Sequence, residues 1–276
     1  MIEPTLYLEL LLLLVYNKQD VTTMTQQKLV IVSGSTGDLG KAYLNYYSKR
    51  KDTVCYGLTR RDEETPVDGV TYLRINLEDA MATREQVRQI SLDGVIEVLL
   101  VHPVGKFKFE SDGTSEIDEN KDGIDDEVYK SNVDTFHNIV GPLIGQREVY
   151  GSVLLKLIAF GSLSDQYNVP WWGSYSKSKL ILRQDMRELS RIEPNIKSLF
   201  VNLSSVKTAN ENRTRPSADT RYWINPEEVV DKSVSLIENM QYSYQEIDIF
   251  NPSPDYHTRY YQEHDQLREK WLREMK

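Results

Sequence analysis

Tyr175 and Lys179 stand four residues apart near the middle of the chain, in Gly173-Ser-Tyr-Ser-Lys-Ser-Lys179. On a helix that spacing puts both side chains on one face, where they can meet. A free phenol, with a pKa of about 10, transfers protons poorly at neutral pH. A neighbouring cation stabilises the phenolate and lowers that value. Ser162 follows the apolar run Val153 to Phe160, which reads as a strand, and its hydroxyl could hold a substrate oxygen. The three together describe a proton-transfer site. A surface helix with a chance pair would show the same Tyr-x-x-x-Lys spacing in a chain of 17 tyrosines. The decision rests on the elements that would position these groups.

Lys28 to Ser33 is a short β-branched run that reads as a buried strand. Gly34-Ser35-Thr36-Gly37-Asp38-Leu39-Gly40 follows at once, and Lys41 to Arg50 reads as a helix. Strand, glycine turn and helix are the context of a dinucleotide site. Gly34 would permit the tight turn, Gly37 the approach of a pyrophosphate, and Gly40 close packing of helix on strand. The helix N-terminus would then face the phosphates. Asp38, next to the pyrophosphate position, is expected to turn to solvent. The second strand, Thr53 to Thr59, ends at Arg60-Arg61. An acid there suits the free ribose of NAD, and an arginine the 2′-phosphate of NADP. The pair favours NADP over NAD, although Asp62, Glu63 and Glu64 would also fit a solvated charge cluster.

Further strands are expected at Val70 to Ile75, followed by Asn76-Leu77, and at Gly94 to His102, 153–160, Ile196 to Leu203 and Glu246 to Phe250. Helical patterns lie near 82–91, at Val128 to Ile144, around Tyr175 and at Pro226 to Met240, with a charged helix or tail over 256–276. Near-continuous apolar strands alternating with helices predict an α/β fold: a doubly wound parallel sheet of seven strands, helices on both faces. No repeat or internal boundary appears, so residues 24–276 read as one domain. Residues 1–23 read as an extension outside the fold. Their apolar run, Leu6 to Tyr16, contains Glu9 and is too short to span a bilayer.

Net charge of −9 and a pI near 5.1 argue against nucleic acid as a partner. The single Cys55 excludes an intrachain disulfide and a cysteine-cluster metal site, and suits a cytoplasmic protein. The acidic stretch Asp118 to Asp126 has the alternating oxygens and the glycine of a calcium loop, but Tyr129 stands where the bidentate Glu belongs. A solvated loop is the better reading, and no metal is expected.

With these elements placed, residues 28–250 resemble the short-chain dehydrogenase/reductases. The resemblance rests on Gly34/Gly37/Gly40 after the first strand, on Ser162 with Tyr175-x-x-x-Lys179, and on Asn132 in the helix before the serine strand. It implies a Rossmann fold and an NAD(P)-dependent oxidoreductase acting on a small carbonyl or alcohol. Tyr175 would be the general acid/base, and Lys179 would lower its pKa and bind the nicotinamide ribose. Ser162 would polarise the carbonyl, and Asn132 would support a proton-relaying water. Ser35, Thr36, Leu39, Asn76, Leu77, His102, Val206 and Thr208 complete the implied cofactor contacts. For His102 a structural role at the strand end is an equal reading. The resemblance also implies a homodimer or homotetramer, to which Tyr260, Tyr261, Trp271 and Leu272 could add.

Some features depart from that pattern. The glycine spacing is that of the extended members, many of them nucleotide-sugar epimerases or dehydratases, whereas the length is that of the compact members. His102-Pro-Val-Gly105 and Ser204-Ser205 replace the usual segments, which motivates a catalytically silent nucleotide-binding alternative. For substrate, Arg213, Arg215 and Arg221 would suit a carboxylate or phosphate. Trp171-Trp172 would suit a flat or sugar face.

Overall fold

The structure is a computed structural model and describes residues 27–61, 65–110, 123–150, 153–167, 169–251 and 261–276. The N-terminal extension 1–23, the acid cluster 62–64, the acidic loop 111–122 and Tyr256 to Tyr260 lie outside the described residues.

Seven strands form one all-parallel sheet: β1 (Gln27–Ser33), β2 (Thr53–Thr59), β3 (Val70–Arg74), β4 (Val95–His102), β5 (Leu154–Ser162), β6 (Ile196–Leu203) and β7 (Tyr244–Ile249). Their order is β3-β2-β1-β4-β5-β6-β7. Successive side chains on a strand face opposite sides, so each inner strand feeds two cores. Leu29 and Ile31 join Leu100, Leu157 and Phe136 on one side; Val30 and Val32 join Leu99, Ile158 and Val201 on the other. Burial on both faces explains why these strands read as apolar runs rather than as alternating ones.

The helices are α1 (Asp38–Tyr47), α2 (Ala80–Arg88), α3 (Asp126–Tyr129), α4 (Thr135–Tyr150), α5 (Gly173–Ile192), α6 (Ala209–Thr214), α7 (Pro226–Glu238) and α8 (His264–Glu274). A π-helical turn, Lys130–Asp134, joins α3 to α4. Helices α1 and α7 cover one face, and α2, α4 and α5 the other. Thus the fold is the doubly wound α/β architecture that the sequence predicts.

Some boundaries differ. The first helix begins at Asp38, not Lys41, so Gly40 lies in its first turn. The last strand begins at Tyr244 rather than Glu246. Asp125, at the end of the acidic loop, caps α3 by accepting from the Glu127 and Val128 amides, and it pairs with Lys108. Among the described residues no group of acids, histidines or cysteines is placed for a metal ion, and no helix is long and apolar enough to cross a membrane.

Candidate active site

A cavity of about 580 Å³ opens at the carboxyl ends of the strands, across the point where strand order reverses between β1 and β4. Gly34, Thr36, Gly37, Asp38, Leu39 and Gly40 line one end, with Arg60, Arg61, Asn76 and Leu77 beside them. Ser162, Tyr175 and Lys179 line the other, with Val206 and Thr208. Ser35, His102 and Asn132 lie behind the wall rather than in it.

The glycine end is built by close approach. Gly34 has φ +57°, and its carbonyl accepts from the Gly37 amide at 3.0 Å. A Cβ on Gly40 would sit 2.5 Å from that same carbonyl oxygen. No side chain caps α1 at Gly37, so its N-terminus is open to an anion. The buried Ser35 hydroxyl donates to the Leu58 carbonyl, tying the turn to β2 instead of facing the cavity. Asp38 is exposed, as expected, and its carboxylate accepts from the Ala209 amide at 2.6 Å. The glycine turn and the segment after β6 are thereby clamped together.

Behind the other end, Asn132 sits in the π turn, a local irregularity frequent at functional sites. Its amide accepts from Lys106 N at 2.6 Å and donates to Lys106 O and to Ser178 Oγ. It therefore joins the segment after β4 to the helix that carries Tyr175 and Lys179. Glu110, absent from the sequence reading, does the same at that helix's start. Its buried carboxylate accepts from the Gly173 and Ser174 amides at 2.9 and 3.2 Å. An acid at a helix N-terminus satisfies free N–H groups and matches the dipole.

Ser162 Oγ contacts Ser164 Oγ at 2.7 Å, and the Ser162 hydroxyl favours the ionised form of the Tyr175 phenol. The ammonium of Lys179 lies 5.7 Å from the Tyr175 ring centre. Burial pushes the Tyr175 phenol above its ordinary value; Glu211 and Asp165 add to the shift, and the Ser162 hydroxyl opposes it. This departs from the expectation that Lys179 lowers it: burial dominates, and the lysine is itself desolvated, to a pKa of about 8. Asp165 is a buried carboxyl raised to about 6 by desolvation, even though it pairs with Arg183 at 2.7 Å.

His102 does not reach the cavity. It is 1% exposed, with Nδ1 2.8 Å from Ser33 Oγ, Nε2 3.3 Å from Thr135 Oγ1 and its ring against Phe136. The structural reading of this residue is the one that fits. Burial, with the charges of Lys179 and His137, lowers its pKa to about 3. The fold thus favours neutral imidazole, so His102 stabilises fully above the unfolded value of about 6.5 and loses that contribution as pH falls from there towards 3. Asp165 acts oppositely, so the variant must isolate the histidine. His102→Gln is expected to flatten the acid side of a thermal-midpoint profile between pH 6.5 and 4; an unchanged slope would refute the assignment.

The other substrate expectations change in part: Trp172 lines the cavity, and the arginines divide. Arg215 is 3% exposed and bonded to Glu274, Glu211 and Ser205. Arg221 is exposed and paired with Asp219, whereas Arg213 donates to Asn210 and lines the cavity. Tyr261 and Trp271, expected at a subunit interface, line the chain's own cavity with Trp172 and Phe107.

No protein-family model matches the sequence, and no curated protein does. Solved structures match its fold. One described as a short chain dehydrogenase/reductase family protein superposes with a TM-score of 0.67 at 13% identity, covering 82% of this chain and 97% of the other. An alcohol dehydrogenase from the archaeon Thermococcus sibiricus, complexed with 5-hydroxy-NADP, gives 0.63 at 15% identity, with 84% and 100% covered. A 3-ketoacyl-(acyl-carrier-protein) reductase from Brucella melitensis, complexed with NADH, gives 0.64 at 13%, with 82% and 97% covered. In overall superposition, the fold of this chain resembles that of the short-chain dehydrogenase/reductases.

Proposed function

We propose that the protein is an NADP-dependent oxidoreductase acting on a carbonyl or alcohol carbon. The observation that carries this reading is the convergence of Ser162, Tyr175 and Lys179 at one end of a cavity whose other end is the glycine turn. The residues fit a dinucleotide: the crowded Gly40 and uncapped α1 leave backbone at the surface where a pyrophosphate would lie. The bound nicotinamide would supply or accept the hydride.

The chain's own contribution is positioning and proton transfer. Ser162 Oγ would donate to the substrate oxygen. Tyr175, held protonated by burial and by its acidic neighbours, would deliver its proton to that oxygen as it gains charge, which suits the reducing direction. Lys179 would hold the ribose and offset charge on the phenolate. Asn132 and Glu110 would position the helix rather than touch substrate.

Arg60 and Arg61 border the cavity beyond β2, where the 2′-phosphate would lie. Arg60 is 3.9 Å from Glu78, an exposed pair worth little by itself, so its guanidinium can turn to a phosphate. Arg60→Ala and Arg61→Ala should each weaken NADP binding while sparing NAD. Dissociation constants for both nucleotides test this; an unchanged preference in both variants excludes the NADP assignment.

A further inference from the structure

Beyond Tyr175 the cavity ends in a chamber of rings. Phe107 lies 5.2 Å from Tyr175 and 5.1 Å from Trp271, ring centre to ring centre, and Trp172 lies 4.8 Å from Trp271. Tyr261 borders the same space. These side chains come from the segment after β4, the start of α5 and the C-terminal region, and they form a cluster separate from both sheet cores.

We propose that this chamber is the subsite for a planar, uncharged aromatic group bearing the reacting carbonyl or alcohol, and that α8 supplies its outer wall. The inference deepens the oxidoreductase reading and rests on it for which atom reacts. The rings meet at tilted and edge-on angles of 33° to 72°, the arrangement in which one further ring gains offset or edge contacts.

Charge argues in the same direction. A carboxylate or phosphate would find Arg215 already answered by Glu274 and Glu211, and on the cavity wall the charge of Arg213 is matched by that of Glu211. A cationic substrate would be repelled by the Arg215 guanidinium, which lies 4.2 Å from the centre of the Trp271 ring.

The outer wall is fixed, as a binding surface should be. Glu274 accepts from Arg215 Nη2 at 2.6 Å, and its carbonyl accepts from the Ser217 amide at 3.0 Å. Trp171 Nε1 donates to the His264 carbonyl, and Leu267 of α8 is buried. Trp271 therefore presents its ring from a helix anchored on both sides.

The test is equilibrium binding to the full chain in the presence of oxidised NADP, which cannot reduce a ketone. Acetophenone is compared with 2-butanone and pyruvate by calorimetry. Acetophenone should bind at least about tenfold more tightly than either, the equivalent of one or two good ring contacts. Trp271→Ala and, independently, Phe107→Ala should each remove most of that advantage while NADP affinity stays unchanged. Comparable binding of 2-butanone or pyruvate overturns the proposal, as does an advantage that survives in a variant folded by circular dichroism. If acetophenone binds as expected but NADPH reduces no carbonyl, the chamber stands and the oxidoreductase reading falls.

Discussion

Tyr175→Phe is expected to lower turnover by about 10²–10⁴-fold, the usual contribution of a positioned proton donor, while the fold and cofactor affinity survive. The ring stays in place and keeps its contact with Phe107; only the hydroxyl is lost. The pH profile checks the assignment independently. With the phenol held above its ordinary value, it stays protonated well past neutrality, so reduction should not lose its donor there. Lys179, at about 8, is the group that titrates: its charge is lost as pH rises through that value, and reduction should decline with it. Lys179→Met should be slow at every pH and lack that decline. Near-normal turnover in Tyr175→Phe would remove the central claim.

Gly40→Ala is expected to cost about 3 kcal/mol of stability, at the upper end of the range for overpacking. The new Cβ would fall 2.5 Å from the Gly34 carbonyl oxygen and 3.0 Å from Ser35 Cα. Both are backbone atoms held by the turn, so no side chain can swing aside. Gly145→Ala is the matched control: it lies in α4, and its Cβ would meet nothing within 4 Å. That change should stabilise by about 1 kcal/mol through helix propensity. Urea unfolding midpoints at constant slope measure both. Equal midpoints for the two variants would mean that α1 does not need its close approach to β1.

The difference between these glycines marks how much of the molecule was legible in the sequence. Gly34, Gly37 and Gly40 announce themselves by spacing, as do Tyr175 and Lys179, because each set acts within a few residues. The strands were equally legible: two-sided burial leaves apolar runs. The start of α1 was misplaced for a local reason, since a glycine needed for packing looks the same as one needed for a turn. What escaped depends on distant partners. Glu110 reaches α5 across a long separation, and nothing around it signals a cap. The ring of Trp271 looked like a surface contact until Arg215 and Glu274 fixed its helix. The upward shift of Tyr175 comes first from burial and then from Glu211 and Asp165, whose approach no motif records.

The all-parallel sheet has a consequence for how the chain acquires its site. Parallel neighbours cannot be joined by a tight hairpin; each pairing requires a crossover of a dozen or more residues, so loop closure comes early and its reward late. The cavity draws on the ends of β1, β2, β4, β5 and β6, strands spread from Gln27 to Leu203. Tyr261 and Trp271 add lining from the C-terminal region, so no fragment that stops short of it completes the cavity. A ligand of this cavity therefore selects against every partly assembled chain at once. At a hundred times its dissociation constant it would add about 2.7 kcal/mol to the whole fold rather than to one corner of it. In a dilute cell extract, nucleotide supply would then govern how much of the protein survives as well as how fast it works.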